Sequence, residues 1–176
     1  MLIEALVKSS RLETGLLTLH PQEREMAPVI AQAVEQYQSK ALEKEIALTV
    51  GEIAGTGIFD AKWTEEAVCN LLDNAIKYTP AGGCVTVQVK NYEMFSAICV
   101  ADTGPGIAEQ EQAKIFGRFY RASNVCQREG VGIGLYLVRQ IASGQGGYIK
   151  VKSAPGHGSI FSLYLPRKAL NTKLQT

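Results

Sequence analysis

Asn70 and Asn74 lie four residues apart, and Lys77 and Tyr78 follow Asn74 at helical spacing, so the four share one side of a helix. A carboxamide oxygen is a hard, neutral ligand that suits Mg2+ when a substrate's phosphates already carry the negative charge. Lys77 would then meet a phosphate as a point charge. A lone asparagine is more often just hydrogen-bonded or exposed, but two at this spacing with a cation one turn on favour the ligand reading. Asp102 ends an apolar run and opens Asp102-Thr103-Gly104-Pro105-Gly106. A carboxylate at the bottom of an apolar slot can accept a hydrogen bond from an exocyclic amine such as that of adenine. The competing reading is a plain turn, for which Asp, Gly and Pro are common residues.

The third constellation is Gly130-Val131-Gly132-Ile133-Gly134-Leu135, which steps directly into a helical pattern. Such a turn offers backbone N–H groups and the positive end of a helix dipole to an anion. No Gly-Lys-Ser/Thr follows, so it is not a Walker loop, and the strand-to-helix crossover of a Rossmann fingerprint is missing. The four cysteines form no Cys-x-x-Cys pair, and His20 and His157 have no sequence neighbours for metal binding or nucleophile activation.

These residues need a scaffold, and the chain is long enough to supply one. It has 176 residues, 46% hydrophobic and 20% charged, with 18 Lys+Arg against 17 Asp+Glu and a net charge of +1. Those values describe a globular domain with its own core and exclude disorder as the main state. The absence of a basic block removes the electrostatic case for nucleic-acid binding. No apolar window is long enough for a membrane span, and the first residues do not read as a signal peptide, so a soluble, cytosolic chain is expected. Apolar residues at Leu2, Ile3, Leu6, Val7 and Leu12 predict a helix ending at a Gly15 cap, and Val29 to Ala41 predict a second, longer one. A third helix is expected from an Asp60 N-cap through Trp63, Ala67, Val68, Leu71, Leu72, Ala75 and Ile76 to Thr79-Pro80. Strands are expected at residues 46–50, 58–59, 85–89, 95–101, 148–152 and 159–165, and a further helix at 135–143. Later strands in hairpins without regular βαβ alternation predict an α+β two-layer sandwich, a mixed, mostly antiparallel sheet of about five strands on about three helices.

Taken in order, N-L-L-D-N-A-I-K-Y-T (Asn70 to Thr79), D-T-G-P-G-I (Asp102 to Ile107), I-F-G-R-F-Y-R (Ile115 to Arg121) and G-V-G-I-G-L (Gly130 to Leu135) resemble the N, G1, F and G2 boxes of the catalytic ATP-binding domain of sensor histidine kinases, in the GHKL superfamily. Ser10 to Gly15 resembles the end of the second helix of the dimerisation and phosphoacceptor domain. The resemblance implies residues 1–15 as that truncated helix, 16–25 as linker, 26–167 as the catalytic ATP-binding domain of Bergerat type and 168–176 as tail.

The resemblance further implies ATP and Mg2+ as cofactors, with Asn74 on the metal helped by Asn70, Lys77 on a phosphate and Tyr78 beside the base. It implies that Asp102 reads the adenine amine while Gly104, Gly106 and Ile107 form the pocket floor. Gly130, Val131, Gly132, Ile133, Gly134 and Leu135 would cradle the phosphates, and Ser159 could hold a bridging water. Phe116 and Phe119 would anchor a mobile lid over 116–129. Arg118 or Arg121 would stabilise the transferring phosphoryl group, the choice between them staying open. Departures at Glu129, Val131 and Gln145 are expected to alter lid flexibility or phosphate affinity. No phosphoacceptor histidine with its usual flanking residues occurs in this chain. The implied partners are therefore the protein's own dimerisation domain and a response-regulator receiver domain. A homodimer is expected only for the full-length protein, as the cytoplasmic portion of a membrane-anchored sensor. The hydrolytic branch of the superfamily carries a general-base Glu where this chain has Asn70, which disfavours hydrolysis by that route. An anti-sigma-factor-like serine kinase and a nucleotide-dependent interaction module are the alternative readings.

Overall fold

The computed structural model describes residues 2–14, 18–122 and 132–168. Within them the chain runs α1 (Leu2–Glu13), β1 (Gln22–Glu25), α2 (Ala27–Glu43), β2 (Ala47–Val50), β3 (Thr56–Phe59), α3 (Ala61–Tyr78), β4 (Cys84–Asn91), β5 (Phe95–Asp102), α4 (Glu109–Gln112), α5 (Gly134–Gly144), β6 (Tyr148–Ser153) and β7 (Ser159–Pro166). The Gly15 cap predicted for α1 lies outside the described residues.

Five strands form one sheet in the order β2-β4-β5-β7-β6. Only the β2–β4 pair is parallel; β4–β5, β5–β7 and β6–β7 are antiparallel. The expected mixed, mostly antiparallel sheet is what the chain forms, with α2, α3 and α5 as its helical layer. Along β7 the side chains alternate strictly between buried and half-buried, which puts Phe161, Leu163 and Leu165 against the helices. Val85, Val87 and Val89 do the same on β4.

The central helix α3 buries Trp63, Ala67, Val68, Leu71, Leu72, Ala75 and Ile76, the stripe its sequence periodicity predicts. Truncating a fully buried leucine such as Leu72 to alanine costs about 2–5 kcal/mol, so this face fixes where the opposite, polar face points. Asp60 caps the start of α3, its Oδ1 accepting from Trp63 N at 3.2 Å. At the other end the Lys44 ammonium donates to the carbonyls of Ile76 and Lys77, both at 2.6 Å. A cation there satisfies two orphan carbonyls and complements the helix dipole.

The structure differs from the sequence expectation at residues 16–25. Gln22–Glu25 is a strand, antiparallel to β3 in a separate two-stranded sheet. All four of its residues are exposed and polar, so its pairing is carried by backbone bonds and leaves no hydrophobic alternation in the sequence. Strand β3, expected from Ile58 and Phe59, joins that ribbon instead of the main sheet. Among the described residues no helix is long and apolar enough to cross a membrane.

Candidate functional site

The C-terminal end of β5, the turn between β6 and β7 and the polar face of α3 meet at one edge of the sandwich. Asp102 is the last residue of β5, in register with Ser159 on one neighbour and Val85 on the other. Its carboxylate accepts from Gly104 N at 2.8 Å and also from the backbone N–H of Ser159. Burial raises the Asp102 pKa above its ordinary value, while the two backbone bonds pull the other way. The result is a desolvated acceptor at the foot of the sheet.

Gly104 passes close to both flanks of this acceptor: a Cβ there would lie 2.8 Å from Asp102 Oδ1 and 3.3 Å from the Tyr78 carbonyl oxygen. Gly106 has φ +72, and a Cβ on it would run into the Ala154 carbonyl. Both the dihedral and the contact demand glycine. Ile107 is half-buried, packs on the core and donates its N–H to Ser153 Oγ at 2.8 Å. Tyr78, half-buried at the end of α3, has the Lys77 ammonium 5.4 Å from its ring centroid.

One to two turns back along α3 sit Asn74 and Asn70, both half-buried. Asn70 ties its Nδ2 to the Glu66 carbonyl at 2.8 Å, which turns its oxygen the other way. That oxygen faces Gly134, the first residue of α5, where a Cβ would stand only 3.0 Å from Asn70 Oδ1. An amide oxygen and the N–H-rich start of an 11-residue helix therefore share one space. Ile133 is buried and Leu135 packs against the core, which anchors that helix start. Gly132 accepts the Phe119 N–H at 2.9 Å. Gly130 and Val131 lie outside the described residues, as do Glu129 and residues 123–128 of the predicted lid.

The aromatic-basic segment divides into two parts. Phe116 is buried and meets Phe161 edge-on at 6.3 Å, so it belongs to the core. Phe119 is 55% exposed with φ 63, and the Arg118 guanidinium lies 5.2 Å from its ring centroid. Arg118 also lines a shallow groove with Ile3, Leu6, Val7, Ser10 and Arg11 of α1. Arg121 is half-buried where the segment leaves the described residues. Helix α1 is further joined to α3 by a Lys8–Glu66 ion pair at 2.9 Å, one turn before Asn70.

Three side chains that support the site were not singled out from sequence. Ser153, Gln112 and Lys44 each bond backbone groups distant along the chain, and their types and neighbours resemble ordinary turn or surface residues. Gln145, one of the departures from the family pattern, sits past the far end of α5, buried, accepting from Asp60 N and donating to Thr64 Oγ1 at 3.2 Å.

Comparison with known proteins agrees with this fold. Residues 59–169 match the family model described as histidine kinase-, DNA gyrase B-, and HSP90-like ATPase. The adaptive-response sensory kinase SasA of Synechococcus sp. is 37% identical over 170 residues, covering 94% of this chain and 45% of that protein. The sensor protein kinase PmrB of Pseudomonas aeruginosa is 32% identical over 167 residues, covering 94% and 35%. The chain thus spans less than half the length of these curated relatives. The solved structure of a mycobacterial sensor histidine kinase, MprB, superposes with TM-score 0.74 at 30% identity, covering 85% of this chain and all of that one.

Proposed function

Because this chain belongs to the family of histidine kinase-, DNA gyrase B- and HSP90-like ATPases, we propose that it binds Mg-ATP at the edge between α3, α5 and β5 and presents the γ-phosphoryl group to a histidine outside these 176 residues. The acceptor would be carried by the dimerisation domain of a sensor kinase, on the cytoplasmic side, and the phosphohistidine would then serve an aspartate of a response regulator. The observation that carries this reading is the Asn70 oxygen set against Gly134, which joins an amide ligand to a helix N-terminus in one space.

The donor set fits Mg2+ held jointly with phosphates. Asn70 commits its Nδ2 to Glu66 and keeps its oxygen toward the site, and Asn74 follows one turn on. Amide oxygens are neutral, so the negative charge comes from the nucleotide. When bound, the ion would neutralise charge on the β- and γ-phosphates. Asn74 and Asn70 would hold it, Lys77 would meet a phosphate oxygen, and the α5 start would supply backbone N–H donors. Asp102 would accept from the adenine amine, which fixes the base and thereby the reach of the triphosphate. Rate enhancement in such a site is positioning and electrostatics. With an amide at position 70, no carboxylate stands there to take a proton from water, which favours transfer to an external nucleophile over hydrolysis.

The test is phosphotransfer from γ-labelled ATP to a separately supplied dimerisation hairpin carrying its histidine. The expected product is acid-labile, base-stable label on the hairpin that disappears with Asp102→Ala or Asn74→Ala. Rapid release of inorganic phosphate without label on the hairpin would overturn the reading.

A further inference from the structure

The loop at 102–107 and the β6–β7 turn are joined by an unusually complete set of bonds centred on Ser153. Its Oγ receives the Ile107 N–H at 2.8 Å, donates to the Gly158 carbonyl at 2.7 Å and lies 2.9 Å from Ser159 Oγ. A serine hydroxyl has one proton and two lone pairs. The proton is committed to Gly158 and one lone pair to Ile107, so in the third contact Ser159 must be the donor. Gln112 fixes the frame around this hub, its Nε2 donating to both the Ile107 carbonyl at 3.0 Å and the Ser153 carbonyl at 2.8 Å. Gly156 N adds a bond to the Pro105 carbonyl at 2.7 Å.

We propose that Ser153 is a positioning and specificity-determining residue that fixes the direction of the Ser159 hydroxyl, so that Asp102 and Ser159 both meet the 6-position of the base as acceptors and select a 6-amino purine over a 6-oxo purine. Ser159 is buried at the start of β7, directly beside Asp102, and spends its own proton on Ser153. What it has left for the pocket, or for a water between it and a base, is lone pairs. The Asp102 carboxylate, which takes the N–H groups of Gly104 and Ser159, is likewise an acceptor. A pocket edge of this polarity suits the amine of adenine and leaves the carbonyl of guanine or hypoxanthine unpaired. Removing the Ser153 hydroxyl would free the Ser159 proton to rotate toward the pocket and donate. It would also strip the Ile107 N–H of its acceptor. The inference rests on the reading of Asp102 as the acceptor for the base amine.

The experiment measures ADP, IDP and inorganic triphosphate binding by calorimetry for the wild type and for Ser153→Ala, Ser153→Thr, Gln112→Ala and Asp102→Ala. Ser153→Ala is expected to weaken ADP about tenfold, to narrow the ADP-over-IDP preference and to leave triphosphate binding unchanged. Ser153→Thr keeps the hydroxyl at a strand position that tolerates β-branching, and is expected to restore both affinity and preference. Gln112→Ala is expected to weaken ADP and IDP alike, because it loosens the frame without touching the Ser159 proton. Equal loss of ADP and IDP in Ser153→Ala, or no loss at all, alongside abolished ADP binding in Asp102→Ala, would overturn the role of Ser153. Unchanged ADP binding in Asp102→Ala would overturn the pocket reading itself, and the two failures are distinct.

Discussion

Replacing Asp102 by asparagine should move stability and binding in opposite directions. In the folded chain Asp102 has a pKa raised above its ordinary value of 3.8, chiefly by burial. Between the unfolded and folded values the native state holds a proton that the unfolded state has released, so stability falls as pH rises through that window. Above that window the penalty is fully present. Asp102→Asn removes the charge while keeping an oxygen for Gly104 N, now 2.8 Å away. The variant should therefore melt higher than wild type at pH 7, and a gain of about 1 kcal/mol would read as roughly 2–4 °C for a domain of this size. The difference should vanish below the ordinary carboxylate range, where the wild-type side chain is neutral in both states. For the nucleotide the sign reverses. The base amine loses a charged acceptor, and the asparagine amide cannot accept from it, from Gly104 N and from Ser159 N together. A hydrogen bond to a charged group is worth about 1.5–3 kcal/mol, or roughly 10- to 150-fold in ATP affinity. Wild-type affinity should likewise drop on the acid side as Asp102 protonates. Calorimetric titration paired with thermal melts across pH measures both effects. A variant that melts lower at pH 7 and binds ATP as well as wild type would refute the assignment of Asp102 as a desolvated, base-reading carboxylate.

Gln145→Ala tests the structural role of this residue at the far end of α5: leaving Asp60 N without its acceptor should cost about 1–3 kcal/mol in denaturant unfolding, with the ATP dissociation constant unchanged. A changed nucleotide affinity with unaltered stability would instead give Gln145 the effect on phosphate affinity that the family resemblance implies. Gly134→Ala should again separate the two readouts. Alanine favours the helix by up to about 1 kcal/mol, yet its Cβ would stand 3.0 Å from Asn70 Oδ1 and push that oxygen off its position. Mg2+-dependent ATP affinity should fall while the melting temperature holds or rises, and intact Mg2+ dependence would remove Asn70 from the ligand set.

What could be read from sequence was what leaves a local periodic trace. Helix α3 showed its buried stripe and its Asp60 cap because both are set within a few residues. The hairpin β4–β5 showed alternation for the same reason. Strand β1 left no trace, since Gln22, Glu23, Arg24 and Glu25 are all exposed and its pairing to β3 is carried by the backbone. Gln145 stood out in sequence only as a departure before a glycine pair, whereas its actual partner, Asp60, lies 85 residues away. The Ser153 hub was invisible for a related reason. A serine before Ala154-Pro155-Gly156 reads as a turn residue, and only the approach of Ile107, 46 residues earlier, makes it a junction. The site residues carried chemical identity in their types and spacing; the residues that hold them still carried it only in contacts.

The two ends of the site are built from different kinds of structure, and this suits what each would do. The end proposed for the base lies on strand termini inside a hydrogen-bonded sheet, where Asp102 is flanked by paired neighbours on both sides and the loop after it is clasped through Ser153 and Gln112. On the far side of the same β6–β7 hairpin, Tyr148 and Tyr164 stack at 4.5 Å, which stiffens the strands that present Ser153 and Ser159. The end proposed for the phosphates lies between the middle of α3 and the start of α5, where Asn70 and Gly134 approach across an interface of packed side chains. Helices packed in this way shift as bodies by small displacements, while a paired strand end does not. A nucleotide gripped at its base would thus stay fixed as α3 and α5 adjust around the phosphates. Helix α1 touches the helical end of that division, through Lys8 on Glu66 and through the groove beside Arg118. A displacement of α1 would accordingly be felt first at the phosphates and last at the base.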